Sequence, residues 1–124
     1  MGKRSRRRER APGAAAPLPD APVAEYPGPD GSVLALRCVL TPKTRTQYAQ
    51  VLHGNTLSQE DAWQRAVEFL FERLAVRWEI AGVPTEGQRE LLLRLRAATP
   101  DERAAVRAVL REHCAEWFPD VEAP

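Results

Sequence analysis

The sequence predicts a mainly α-helical fold: a small four-helix array behind a short N-terminal strand or hairpin at residues 32–40, with a disordered basic N-terminal tail. Three observations lead to this prediction. Apolar residues recur every three or four positions across much of residues 63–117, which is typical of helices that bury one face. Residues 32–40 alternate apolar side chains on one face, as a strand does. Residues 1–31 hold six of the eleven prolines and few large apolar side chains, so they cannot offset the entropy of ordering.

The length of 124 residues predicts a single domain. We expect a tail over residues 1–31, a helical domain over 32–119 and a frayed end over 120–124. No apolar run approaches the roughly 20 residues that span a bilayer. The basic start of the chain is followed by Ala and Pro rather than by the apolar core of a signal peptide. Cys38 and Cys114 each lie in an apolar segment and have no spaced partners, so we expect reduced thiols and a cytoplasmic protein.

The first ordered elements are predicted to be the strand and one short helix. The segment from Val23 to Tyr26 is the nearest partner for the strand, although Pro22 and Pro27 weaken this pairing. Thr41 followed by Pro42 is typical of a helix start, and this helix is expected to end at Gly54.

The second helix carries the strongest periodic signal, but the position of its end is open. It is expected to begin at Ser58, with a wide apolar stripe made by Trp63, Ala66, Val67, Leu70, Phe71, Leu74 and Trp78. Val76, Trp78 and Ile80 also alternate as in a strand, which could pair with residues 32–40. We favour a helix through residue 81, because Gly82 suits a left-handed helix end and Pro84 stops propagation.

Two further helices are predicted after Pro84. Thr85 and Gln88 resemble a capping box for a third helix over about residues 86–98. Thr99, Pro100 and Glu102 combine an N-cap, a proline in the first turn and a glutamate that can close a capping box. The predicted buried side of this fourth helix consists of Ala105, Val106, Val109, Leu110, His113 and Trp117.

Residues that could perform catalysis or bind a metal are few. His113 and Cys114 are neighbours on a helix, so their side chains diverge by about 100° and cannot form a dyad with each other. His53, His113 and the two cysteines lack the short ligand spacings of zinc sites, and no phosphate-binding loop is present. Glu68 and Glu72 share a helix face, but the sequence gives no sign of a desolvated cleft around them. We predict no catalytic residue, no metal and no cofactor.

The N-terminal tail concentrates positive charge. Residues 1–10 carry six basic side chains and one acidic one, so a total charge of +1 leaves residues 11–124 at about −4. A flexible basic arm favours polyanions, so nucleic acid is a possible partner, although a solubilising terminus is an equally good interpretation. The candidate polyanion-binding residues are Lys3, Arg4, Arg6, Arg7, Arg8 and Arg10.

Five residues of the second and last helices are candidates for binding a partner protein. Arg103, Arg107 and Arg111 recur every four residues, and like charges at this spacing need compensation. Either Glu68, Glu72 and Glu79 supply it from within the domain, which we favour slightly, or an acidic partner does. Phe69 and Val76 lie off the main stripe and would form an apolar patch if both are exposed. The alternative for these two is a core that surrounds much of the second helix.

These observations predict a non-enzymatic protein-interaction or regulatory module with a protein partner of unknown identity. The first alternative is a protein that binds nucleic acid nonspecifically through the arm. The second is an enzyme subunit completed by another chain, which requires a cleft that holds His53 or His113 with a carboxylate.

Overall fold

The computed structural model describes residues 22–54 and 58–124 of the chain. Over these ranges the chain forms four α-helices, one 3₁₀ turn at Pro29–Gly31 and one antiparallel sheet. The strands are β1 (Val23–Pro27), β2 (Val33–Arg37), β3 (Ala75–Ile80) and β4 (Val83–Glu86). The helices are α1 (Pro42–His53), α2 (Gln59–Leu74), α3 (Gln88–Arg96) and α4 (Pro100–Trp117).

The predicted hairpin between residues 23–26 and the strand at 32–40 is confirmed. β1 pairs with β2 from Val23 opposite Arg37 to Pro27 opposite Val33. Pro22 precedes β1, and Pro27 is the last residue of the strand. Because β1 is an edge strand, the missing N–H of proline is tolerated there. The sheet therefore begins at Val23, inside the range predicted to be a disordered tail.

The mainly α-helical prediction is wrong, because the sheet has four strands in the order β1-β2-β3-β4. α2 ends at Leu74, and the chain continues directly into β3, which pairs antiparallel with β2. Trp78 lies opposite Leu34 and remains 4% exposed. A helix through residue 81 would have left one edge of β2 without partners for its backbone groups, whose burial is costly when they are unpaired. The fold is thus mixed α/β.

The segment between β3 and α3 explains why the expected helix end at Gly82 and the expected capping box at Thr85 are also wrong. Ala81 and Gly82 have φ angles of 53° and 77° and form the tight turn of the β3–β4 hairpin. Gly82 therefore adopts a left-handed conformation in a strand turn rather than at a helix end. Thr85 lies in β4, so the capping box with Gln88 does not form, and α3 begins after Gly87.

The starts of α1 and α4 are confirmed. The side chain of Thr41 accepts a hydrogen bond from the Thr44 N–H. Thr99 and Glu102 exchange both hydrogen bonds of a capping box. No helix within the described ranges is both long and apolar enough to cross a membrane.

The core lies between one face of the sheet and the helices. Its largest contributors include aromatic and leucine side chains from every layer: Tyr26, Leu34, Leu36, Tyr48, Leu70, Phe71, Leu74, Trp78, Leu91, Leu95, Leu110 and Phe118. Phe71 and Trp78 meet edge to face, with ring centroids 5.5 Å apart. The end of α2 and β3 therefore contribute to the same interior although they differ in secondary structure.

Residues 120–124, which we call the strap, pack against α1 and α4. The Tyr48 hydroxyl donates a hydrogen bond to the main-chain oxygen of Glu122 at 2.6 Å. Val121 and Ala123 pack against the core, and Pro124 is buried. We expected this segment to fray; the structure instead places it in contact with two helices.

Candidate binding groove

A groove of about 560 Å³ runs between α2 and α4. Arg103, Arg107 and Arg111 form the wall on the α4 side. The remaining lining is largely apolar and includes Trp63, Val67, Leu95, Pro100, Ala104 and Ala108, with Glu60, Gln64 and Glu68 on the α2 side. Three of the residues that the sequence suggested for partner binding therefore lie together along one cavity.

The three arginines line up because α4 repeats every 3.6 residues, so side chains four apart share a face. Each guanidinium donates one hydrogen bond to a main-chain oxygen. Arg103 donates to Ala98 at 3.0 Å, Arg107 to Pro124 at 3.3 Å and Arg111 to Pro124 at 2.7 Å. A guanidinium has five N–H donors, so most donors on this wall have no partner within the described residues.

Arg107 also stacks on the ring of Trp63 across the groove, with its central carbon 4.8 Å from the ring centroid. A cation at this distance from an indole face is attracted by the negative face of the ring. Trp63 is half-buried and belongs to the apolar lining of the groove, which we call the apolar floor. Its contact with Arg107 therefore connects the arginine wall to this floor. The sequence placed Trp63 on the buried stripe of α2 and gave no sign of its contact with α4.

The expected internal pairing of these arginines with Glu68, Glu72 and Glu79 is wrong. Glu68 pairs with Arg96 of α3 at 3.1 Å, and Glu79 pairs with Arg77 of the same strand at 2.5 Å. Over residues 22–54 and 58–124, none of the three groove arginines forms an ion pair with an Asp or Glu side chain. The groove therefore carries an excess of positive charge.

The other two candidate residues lie outside this groove and are half-buried. Phe69 packs near Tyr48 of α1, with ring centroids 6.3 Å apart, and Arg73 covers its ring at 4.8 Å. Val76 lies in β3 where the pairing with β2 shifts register. They belong to different elements, α2 and β3, rather than to one helix face.

The opposite side of α4 holds a closed polar network. His113 is fully buried; its Nε2 lies 2.7 Å from the main-chain oxygen of Arg37 and its Nδ1 lies 2.7 Å from the Tyr26 hydroxyl. Because a carbonyl only accepts, Nε2 carries the proton, and the Tyr26 hydroxyl donates to Nδ1. Burial lowers the pKa of His113 and raises that of Tyr26 to about 12. Both ring nitrogens are therefore occupied.

His113 lines none of three cavities found over the described ranges, including a smaller one of about 180 Å³ beside Tyr26 and Trp78. His53 does contact a carboxylate, since its Nε2 lies 2.8 Å from Glu122, but both side chains are more than half exposed on the surface. Neither histidine therefore lines one of these three cavities.

The cysteines and the acidic residues form no metal site in the described part of the chain, where no three His, Cys, Asp or Glu side chains converge. Cys38 and Cys114 are free and buried. Burial raises the pKa of both thiols, that of Cys114 to about 11, so both are protonated at neutral pH. The six basic residues of the tail lie outside the described residues.

Comparison of the chain with protein-family models, with curated proteins and with solved structures finds no match. The groove between α2 and α4 is therefore the feature from which we propose a function.

Proposed function

We propose that the protein is a non-enzymatic interaction module that binds an acidic segment of a partner protein in the groove between α2 and α4. The observation that carries the proposal is the arginine wall, which has three guanidiniums and no Asp or Glu side-chain partner within residues 22–54 and 58–124. Carboxylates bind guanidinium groups with two parallel hydrogen bonds, which is stronger than a bond to a neutral oxygen. Charge complementarity thus favours Asp or Glu side chains opposite the wall.

The apolar floor supports a peptide as the occupant rather than a nucleic acid. Trp63, Val67 and Leu95 offer apolar surface beside the arginines, which suits a segment that alternates acidic and apolar side chains. Buried, free cysteines support a cytoplasmic location, where thiols remain reduced.

The test is the binding of a fluorescein-labelled short peptide in which Glu and Leu alternate, followed by polarisation. We expect Arg107→Gln to lower the affinity about tenfold, because it removes a charged contact and the stacking on Trp63. Arg89→Gln is the matched control, since Arg89 is exposed on α3 and lies outside the groove. Equal affinity for the two variants, or no binding by the wild-type protein, contradicts the proposal.

Nucleic acid is the competing outcome of the same experiment. If the basic arm is the binding element, a short DNA duplex binds in a strongly salt-dependent manner. Replacing Arg6, Arg7 and Arg8 by Gln then abolishes DNA binding, whereas Arg107→Gln leaves it unchanged. That pattern, together with failure of the acidic peptide to bind, would replace the proposed function.

A further inference from the structure

The strap, residues 120–124, has outer and inner anchors in addition to the hydrogen bond that its Glu122 main-chain oxygen accepts from Tyr48. Its outer anchors are the ion pairs of Asp120 with Arg45 at 2.5 Å and of Glu122 with His53 at 2.8 Å. Its inner anchor is the main-chain oxygen of Pro124, which accepts hydrogen bonds from two arginines of the groove. The strap thus connects the exposed surface of α1 to the arginine wall on α4.

The inner anchor uses two of the donors through which an acidic partner can bind. Arg107 and Arg111 both direct a donor at Pro124, and this fixes the direction of each guanidinium. A carboxylate that binds through the Arg107 Nε–H or the Arg111 Nη1–H uses the donor that Pro124 occupies. Binding at either of these donors removes the corresponding hydrogen bond to Pro124.

The strap also resembles the proposed ligand. It carries carboxylates at Asp120 and Glu122 and places Val121 and Ala123 against the core. The carboxylates of the strap pair with Arg45 and His53, and its Pro124 oxygen lies at Arg107 and Arg111, two of the arginines that an acidic partner would contact.

We infer that the strap is an internal competitor for the groove, so that binding of an acidic partner segment and docking of the strap at Arg107 and Arg111 oppose each other. The inference rests on the proposed function. When a binding-competent state is only a fraction of the protein, the apparent affinity falls by that fraction. Loosening the strap at its outer anchors, which do not line the groove, therefore raises the affinity for the partner.

The test compares D120N/E122Q with E25Q/E90Q in binding the labelled Glu-Leu peptide. Both double variants remove two negative charges, and Glu25 and Glu90 are exposed and lie away from the groove. We expect D120N/E122Q to bind about threefold more tightly than the wild-type protein, since exposed ion pairs contribute modestly. E25Q/E90Q is expected to match the wild-type protein.

Hydrogen exchange at the amides of Val121 and Ala123 provides a second readout that needs no ligand. We expect faster exchange in D120N/E122Q than in E25Q/E90Q. If the wild-type protein binds the peptide and Arg107→Gln weakens binding, but D120N/E122Q binds no more tightly than E25Q/E90Q, this inference fails and the proposed function stands. If no form binds the peptide, both fail. Equal exchange in the two double variants also overturns the inference, because the outer anchors then do not hold the strap.

Discussion

The polar side chains on the two sides of α4 differ in burial and in how many of their hydrogen-bonding positions have a partner. On the sheet side, His113 is fully buried and both of its ring nitrogens have a partner. On the groove side, Arg103, Arg107 and Arg111 lie along a cavity and each uses one of its five donors. One helix thus supplies a saturated network and an unsaturated one within three turns.

This difference separates groups that stabilise the fold from groups available to a ligand. A buried and saturated polar network contributes chiefly to stability, because breaking it leaves its other members unpaired. Exposed cations on a groove wall contribute little to stability and retain donors for a partner. Substitutions on the two sides should therefore affect different measurements.

The largest expected effect is loss of stability on the sheet side. We expect His113→Ala to lower the free energy of unfolding by about 3 kcal/mol, because it leaves a cavity and removes a partner from both Tyr26 and Arg37. Denaturant unfolding measures this, with Glu112→Ala on an exposed position of α4 as the control, expected within about 0.5 kcal/mol of the wild-type protein. A loss below 1 kcal/mol for His113→Ala would contradict the account of a saturated network.

The pH dependence of stability provides a second test of the buried state of His113. The folded state holds the pKa of His113 below its ordinary value near 6.5, chiefly because burial disfavours the charged ring. Below that value the unfolded chain binds a proton that the folded protein excludes. This contribution to stability is therefore complete above about pH 6.5 and is lost as the pH falls toward the folded pKa, by at most about 1.4 kcal/mol per pH unit.

Denaturant unfolding at pH 7.5 and pH 5.5 tests this expectation when the wild-type protein is compared with His113→Gln. The wild-type protein should lose more stability on acidification than the variant. All other side chains are the same in the two proteins, so the comparison isolates the contribution of His113. An equal loss in the two proteins would mean that the folded state does not lower the pKa of His113.

The turn between β3 and β4 gives a smaller effect of opposite sign. Ala81 has a φ of 53°, a conformation that disfavours residues with a Cβ. Ala81→Gly should therefore stabilise the protein by up to about 1 kcal/mol. If residues 75–81 were helical, the same substitution would destabilise it by about that amount. The sign of the change in denaturant unfolding therefore distinguishes hairpin from helix.

The smallest effect on stability is expected in the groove. Arg103→Ala should change the free energy of unfolding by less than about 0.5 kcal/mol, since its side chain is exposed and makes one hydrogen bond. The same variant should weaken binding of the Glu-Leu peptide severalfold. A variant that loses stability but keeps its affinity for the peptide would reverse the comparison between the two sides of α4.

Local signals in the sequence predict part of this fold. Thr41 with Pro42, and Thr99 with Glu102, specify helix starts through contacts within one turn, and the β1–β2 hairpin is also local. The local sequence does not determine the secondary structure of residues 75–86. The alternation at Val76 and Trp78 predicts a strand, whereas the apolar spacing that precedes it predicts a continued helix. Pairing with β2, more than thirty residues earlier, decides between them.

The candidate site likewise combines features set by local sequence with features set by the packing of distant segments. Helical spacing alone places Arg103, Arg107 and Arg111 on one face. Which groups face them depends on how α2, α3 and the strap pack, so the pairing of Glu68 with Arg96 and the stacking on Trp63 could not be predicted. The contact of Tyr26 with His113 joins residues 87 apart in sequence, and neither position carries a local signal of it.

The most direct test of the account is an NMR titration of the full-length protein with the Glu-Leu peptide. We predict shifts of the Trp63 indole and of the side-chain resonances of Arg103, Arg107 and Arg111, with unchanged ring resonances for Tyr26 and His113. Shifts confined to the Tyr26 side of α4, or no shifts at any peptide concentration, would contradict the claim that the groove between α2 and α4 is the binding surface.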